Sequence, residues 1–212
     1  MIHQLRAYTV KPGTVGKVLE ASGTVARRIR EGDKYGVLEG HWSSEIGPLN
    51  QYVHLWAYDD LAEMERLRGE LSALPAWKSD YLPLIRPHIL SQTVNILRPV
   101  IDMKMPKGEN NFHELRRYRL QPGKAVEWTQ RMAEHMPARE KYSPNLGLWT
   151  SDFPDPNEVV HLWSYESWEH RVEARAGSQA APDWQKFLSY AGPLIEDMQS
   201  MILQPSEYSP RK

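Results

Sequence analysis

The chain contains no cysteine. That absence excludes a disulfide framework, thiol catalysis, iron–sulfur clusters and Cys-ligated zinc. It also lacks an excess of charge of either sign: 26 Lys and Arg stand against 27 Asp and Glu, for a formal net charge of −1. The basic footprint of a nucleic-acid binder is missing. No apolar run approaches the roughly 18 residues of a membrane helix. The first residues, from Ile2 to Tyr8, read as a strand, with neither a secretory h-region nor an Arg/Ser-rich presequence. A soluble protein of a reducing cytoplasm, with no membrane or nucleic-acid partner, is the expectation. There is no Gly-rich phosphate loop, nucleophile elbow or dinucleotide fingerprint. No His-x-His or His-Glu-x-x-His spacing offers a metal shell. Neither a cofactor nor a metal is expected.

What the chain does have is a repeat. Its 212 residues suit two units of about 100 residues each. The segment from His3 to Gly13, HQLRAYTVKPG, returns as HELRRYRLQPG from His113 to Gly123, with six of eleven positions identical. WSSEIGPLNQYVHLWAY, from Trp42 to Tyr58, returns as WTSDFPDPNEVVHLWSY, from Trp149 to Tyr165, with eight of seventeen identical. Pro75-Ala76-Trp77 matches Pro182-Asp183-Trp184, and Pro83-Leu84-Ile85 is matched to Pro193-Leu194-Ile195. The chain is a tandem duplication. The predicted boundaries are a first domain over 1–98, a linker over 99–110 rich in Pro, Gly and Asn, a second domain over 111–204, and a tail over 205–212.

Each unit reads β-α-β-β-α-β. Residues 2–10 form a strand that stops at Lys11-Pro12-Gly13. Thr14 is a candidate cap for a helix that runs to Gly32-Asp33. Residues 35–43 and 51–58 are strands; in the latter Val53, Leu55 and Ala57 point one way and His54, Trp56 and Tyr58 the other. Asp59 or Asp60 caps the next helix, a short helix after Pro75 carries Trp77 and Tyr81, and a strand over 88–97 closes the unit. In the second half the helices fall near 124–140 and 167–177. The predicted fold class is α+β: two tandem ferredoxin-like units packed sheet to sheet as an intrachain pseudo-dimeric α+β barrel.

The run Glu45-Ile46-Gly47-Pro48-Leu49-Asn50, before Val53-His54-Leu55-Trp56, resembles the NIPSNAP family. That family has a Leu-Arg-x-Tyr strand, a Pro-Gly turn and Trp-x-x-Glu-Ile-Gly-Pro-Leu-Asn ahead of a His-Leu-Trp strand, then Pro-x-Trp and Pro-x-Ile segments. The first half carries all of these. The second keeps Leu115-Arg116-Arg117-Tyr118, Trp149, Asn157, His161-Leu162-Trp163 and Trp184, but has Asp152-Phe153-Pro154-Asp155-Pro156 in place of the Glu-Ile-Gly-Pro-Leu turn. The resemblance implies a dimeric α+β barrel and brings no settled catalytic residues. Eukaryotic members are associated with mitochondria and with vesicle or mitophagy adaptor roles. This chain looks like a bacterial-type member.

The residues that could carry chemistry come in repeat-related pairs, each with a plain structural alternative. Trp42 with Trp149, Trp56 with Trp163, and Trp77 with Trp184 either fill the core or line a pocket. His54 and His161, on strand faces with Trp56, Tyr58, Trp163 and Tyr165, are either hydrogen-bonded structural residues or a general acid/base. His3 and His113 form a further pair. Arg6 and Tyr8, repeated as Arg116 and Tyr118, share a strand face. Glu45 and Asp152 are the expected partners of the two arginines; without them the arginines could hold a ligand carboxylate or phosphate. Asn50 and Asn157 read as turn residues, and Arg27-Arg28-Ile29-Arg30 as a solvated face.

The leading functional reading is a small ligand, with an anion as one option, held in an aromatic- and His/Arg-lined barrel cavity. A cofactor-independent isomerase or monooxygenase-like enzyme and a protein-interaction module are the alternatives, and further homo-oligomerisation is open. Should one half alone keep a working site, it is expected to be the first.

Overall fold

Residues 1–108 and 111–212 are described by the structure, a computed structural model. Two compact units emerge: 1–96 with 204–211, and 97–203 with residue 212. Residues 109 and 110 of the expected linker lie outside the described residues. Parts of the remaining linker and of the tail are tied to their units by hydrogen bonds and contacts. In the second unit Val100 and Lys104 donate to the carbonyls of Leu148 and Leu146. In the first, Ser206 donates to His41 O and Tyr208 lies against Gly23.

In the first unit β1 is Ile2–Val10, β2 Val37–Ile46, β3 Gln51–Tyr58 and β4 Ile89–Pro99. β1 and β3 are the central pair, with β4 beside β1 and β2 beside β3. The antiparallel register sets Gln4 opposite Trp56, Arg6 opposite His54 and Tyr8 opposite Tyr52. Because strand side chains alternate, these six share one face. The opposite face carries Leu5, Val53, Leu55 and Trp42. Trp42 is buried against Gly40, where any larger side chain would collide with its indole.

The helix between β1 and β2 is not regular. It runs as α-helix over Val15–Ala21, passes through a π-helical turn at Ser22–Ala26 and resumes over Arg27–Ile29. The helix between β3 and β4, Leu61–Ala73, starts at Asp60, whose side chain accepts from the Glu63 amide at 2.8 Å. A second π-helical turn, Trp77–Tyr81, follows.

The second unit repeats the order. β5 is Phe112–Leu120, β6 Asn145–Phe153, β7 Glu158–Tyr165 and β8 Ile195–Pro205. Its helices, Ala125–Arg139, Trp168–Ala180 and Pro182–Ala191, carry no π-helical turn. The expected pairing of Pro83-Leu84-Ile85 with Pro193-Leu194-Ile195 is corrected. The 3-10 turn Arg86–His88 ahead of β4 matches Gly192–Leu194 ahead of β8, so Ile89 answers Ile195 and Pro99 answers Pro205. The first half therefore has one residue more than the second between Trp77 and Ile89, where its second π-helical turn lies. The same holds between Pro12 and Arg30 against Pro122 and Arg139, across the first π-helical turn. A π turn accommodates such an extra residue within a helix and is frequent at functional sites.

Candidate functional site

The face that carries Arg6, His54 and Trp56 does not pack tightly against its helices. Between them lies a cavity of about 940 Å³. It sits on the helix side of the first unit's sheet, which corrects the expectation of a barrel-interior cavity. Both π-helical turns form its wall, and the Ser22 and Tyr81 hydroxyls join them at 2.8 Å.

The charge of the wall is one-sided. Arg6, Arg27, Arg30, Arg68, Lys78 and Arg86 line it, and among the described residues no Asp or Glu does. Arg27 is paired with Asp33 at 2.6 Å. Among the described residues no carboxylate lies within 4 Å of Arg6, Arg30 or Arg68. Arg30 is buried all the same: its guanidinium lies 3.9 Å from the Trp56 ring centre and donates to Tyr35 O at 2.9 Å. The cation–π contact and hydrogen bonds to Tyr35 O and the Tyr58 side chain hold this buried guanidinium. The reading of residues 27–30 as a solvated face is thus corrected at Arg30. Arg6 donates through Nη2 to Gln92 at 2.9 Å, and its buried Nε has no partner. Arg68 is half-buried beside it, and burial followed by the Arg6 charge holds its guanidinium below the ordinary value.

His54 is clamped. Its ring lies near-parallel to those of Tyr8 and Tyr52, at 5.4 and 4.6 Å, in a cluster whose two tyrosine rings are themselves 5.9 Å apart. Its Nδ1 accepts from the Trp56 indole. An indole N–H can only donate, so the proton of the neutral imidazole sits on Nε2. That Nε2 is buried and lacks a partner, and His54 is one of the residues lining the cavity. Burial first, and the Arg6 charge second, hold His54 well below its ordinary value of 6.5. Burial pushes Tyr81 up to about 12 and Tyr52 well above its ordinary value. At neutral pH the wall therefore offers hydrogen-bond donors and cations, and His54 is a donor rather than a base.

The second unit repeats the indole–imidazole bond without the space; there Tyr118 meets His161 edge-on and Val159 takes the place of Tyr52. Trp163 donates to His161 Nδ1 at 2.6 Å, and Arg139 lies 4.3 Å from the Trp163 ring centre. Its cavity is only about 120 Å³. The reason is side-chain volume. Where the first unit has Val18 and Ser22, the second has Trp128 and Met132, both about 1% exposed, and Trp128 stands 5.2 Å from Phe187. Its charge is also closed internally. Glu114, which replaces Gln4, accepts two bonds from Arg171 at 2.9 and 3.0 Å and one from Ser200 at 2.7 Å. Desolvation pushes its carboxyl up, but the bonds from Arg171 and Ser200 and the nearby arginine charges outweigh it and hold Glu114 below the usual carboxylate range.

Several expected site residues lie elsewhere. Trp42 and Trp149 are buried but line neither cavity. Glu45 is exposed. Asp152 pairs with Arg98 at 2.7 Å, so neither acid is the partner of Arg6 or Arg116. Tyr165 holds Arg139 from outside the second cavity. His3 and His113 are buried away from both cavities. Arg30, Arg68, Tyr52 and Gln4 were not anticipated; Arg30 with Arg139 and Arg68 with Arg175 were available as repeat pairs. Among the described residues no group of three or more His, Asp or Glu is placed to hold a metal, and no helix is long and apolar enough to cross a membrane.

A duplicated α+β chain with one open, cation-lined cavity and one filled counterpart is the class this geometry defines. Its sequence matches the NIPSNAP family over residues 3–103 and 113–210. The chain belongs to that family. It is 30% identical to human protein NipSnap homolog 2, over 99% of this chain and 74% of the relative. It is 29% identical to the mouse homolog 2, over 99% and 75%. Among solved structures, one from Lactobacillus acidophilus, named as a candidate monooxygenase, aligns with a TM-score of 0.68 at 14% identity, covering 96% of this chain and 93% of that one. At that identity the likeness is one of fold.

Proposed function

We propose that the first unit binds a small organic anion with a planar apolar body, and that the second unit is its structural counterpart. One observation carries this reading: a cavity of about 940 Å³ lined by five Arg and one Lys and, among the described residues, by no acidic side chain. A cation withdrawn from water without a partner is costly, and an anionic ligand supplies the missing charge. The Tyr8, Tyr52, Trp56, Trp77 and Tyr81 rings provide apolar surface for the rest of the molecule.

The neighbour named as a candidate monooxygenase raises the alternative of a cofactor-independent enzyme. In such chemistry His54 would donate from Nε2 to a ligand oxygen and stabilise charge there; its Nδ1 is occupied by the indole, so it would not remove a proton. The binding reading needs no such step and is preferred.

Isothermal titration with 2-naphthoate against 2-naphthalenemethanol tests it. The carboxylate should bind at least tenfold tighter than the alcohol. Equal affinities would overturn the anionic reading.

A further inference from the structure

We infer that Arg6 and Arg68 form a carboxylate subsite that Gln4 keeps open. The inference rests on the anionic-ligand reading and names the part of the wall that takes the charge.

The duplication supplies the comparison. Residues 4, 6 and 68 correspond to 114, 116 and 175. In the second unit the side chain at 114 is a carboxylate, almost fully buried, with Arg116 Nε at 4.0 Å and Arg175 Nη1 at 3.9 Å. Arg171 adds its two-pronged grip. That cluster is a cation set already filled by the chain's own acid. In the first unit Gln4 is neutral, and the residue answering Arg171 is Met64, whose sulfur accepts from Gln4 Nε2 at 3.2 Å. One acid and one arginine are gone together, and two arginines remain with no carboxylate.

Arg30 is the weaker candidate for the same role. Its repeat mate Arg139 has the same aromatic and Tyr contacts in a unit with almost no cavity, so this pair braces the fold. The Nε of Arg6, like that of Arg116, is buried without a hydrogen-bond partner and lies across the strand register from a His Nε2 in the same state. What sets Arg6 apart is charge, since Arg116 has Glu114 at 4.0 Å and Arg6 has no carboxylate within 4 Å among the described residues. A planar carboxylate meets a guanidinium edge through parallel N–H···O bonds. The ligand class is therefore a carboxylic acid with an apolar ring system, its carboxylate on Arg6 and Arg68 and a neighbouring oxygen within reach of His54.

The test is Gln4→Glu, which places the second unit's acid beside Arg6 and Arg68 without its Arg171 partner. The variant should lose about tenfold or more in 2-naphthoate affinity, while its affinity for neutral 2-naphthalenemethanol stays within about twofold. By NMR the introduced carboxylate should titrate lower in Gln4→Glu than in Gln4→Glu combined with Arg68→Met, a readout that needs no ligand. Arg68→Met provides a second route and should erase most of the carboxylate-over-alcohol preference. Equal losses for acid and alcohol, or an introduced carboxylate whose titration Arg68→Met leaves unmoved, would overturn the subsite. So would tighter binding of 2-naphthyl phosphate than of 2-naphthoate. If wild-type protein prefers the acid but neither substitution changes that preference, the subsite falls and the anionic reading stands. If wild-type protein shows no preference, the anionic reading falls, and the titration of the introduced carboxylate still decides whether Arg6 and Arg68 act as a pair.

Discussion

Substituting Ala26 with Met fills the cavity from its helical wall. Ala26 is 4% exposed and lies at the end of the first π-helical turn. The new side chain adds three heavy atoms, worth about 0.8 kcal/mol each when buried, or about 2.4 kcal/mol. Fixing a Met side chain costs about 1.5–2 kcal/mol of rotamer entropy. The two nearly cancel, so stability should change by less than about 1 kcal/mol. At a tightly packed core position the same insertion would cost about 1–3 kcal/mol. A urea titration followed by circular dichroism separates these outcomes through its midpoint. The same samples, titrated with 2-naphthoate, should show at least a tenfold loss of affinity. Destabilisation in the overpacking range would mean that the wall has no room there. Unchanged affinity with unchanged stability would mean that the ligand does not occupy this cavity.

Three further outcomes follow from the same geometry. Trp128→Val removes the ring that fills the second unit; it should cost about 3–5 kcal/mol in urea unfolding, and a loss under 1 kcal/mol would contradict its packing role. Glu114→Gln leaves Arg171 and Arg175 facing no carboxylate and should cost about 3–5 kcal/mol by the same measurement, whereas a near-neutral effect would show that the cluster is dispensable. Burial, with the Arg211 charge behind it for His3 and the Arg27 charge behind it for His41, lowers both histidines to about 4. The unfolded chain takes up these protons first, near pH 6.5, so stability should be level above about pH 7. It should then fall by about 1.4 kcal/mol per pH unit for each histidine as the pH drops towards 4. Equal urea midpoints at pH 7 and pH 5 would refute this.

Much of the fold could be read from the sequence because its signals are local or repeated. The period-2 pattern of 51–58, the turn at Lys11-Pro12-Gly13 and the Asp60 cap each act over a few residues. The duplication then counts every such signal twice. His54, Trp56, Arg6 and Tyr8 were legible as one face because strand alternation fixes direction. The location of the cavity was not legible, because it depends on volumes across the sheet–helix gap. Val18 and Ser22 read only as helical positions until Trp128 and Met132 are seen to fill the equivalent space. The burial of Arg30 was hidden for a related reason. A run of three arginines in four residues reads as solvated, and only the tertiary placement of Trp56 beneath one of them reverses that. Glu45 and Asp152 were plausible partners by repeat logic, but the acid that matters, Glu114, breaks the repeat. The difference between Gln4 and Glu114 was on the page as a mismatch, where attention goes to identities.

The central claim is that the two halves share a fold while one alone keeps an anion-binding cavity. Stoichiometry tests it most directly. Isothermal titration of the full chain with 2-naphthoate should give one site per chain, and the double substitution Arg6→Ala with Arg68→Ala should remove it. Two equal sites per chain, or a single site untouched by that substitution, would contradict the account.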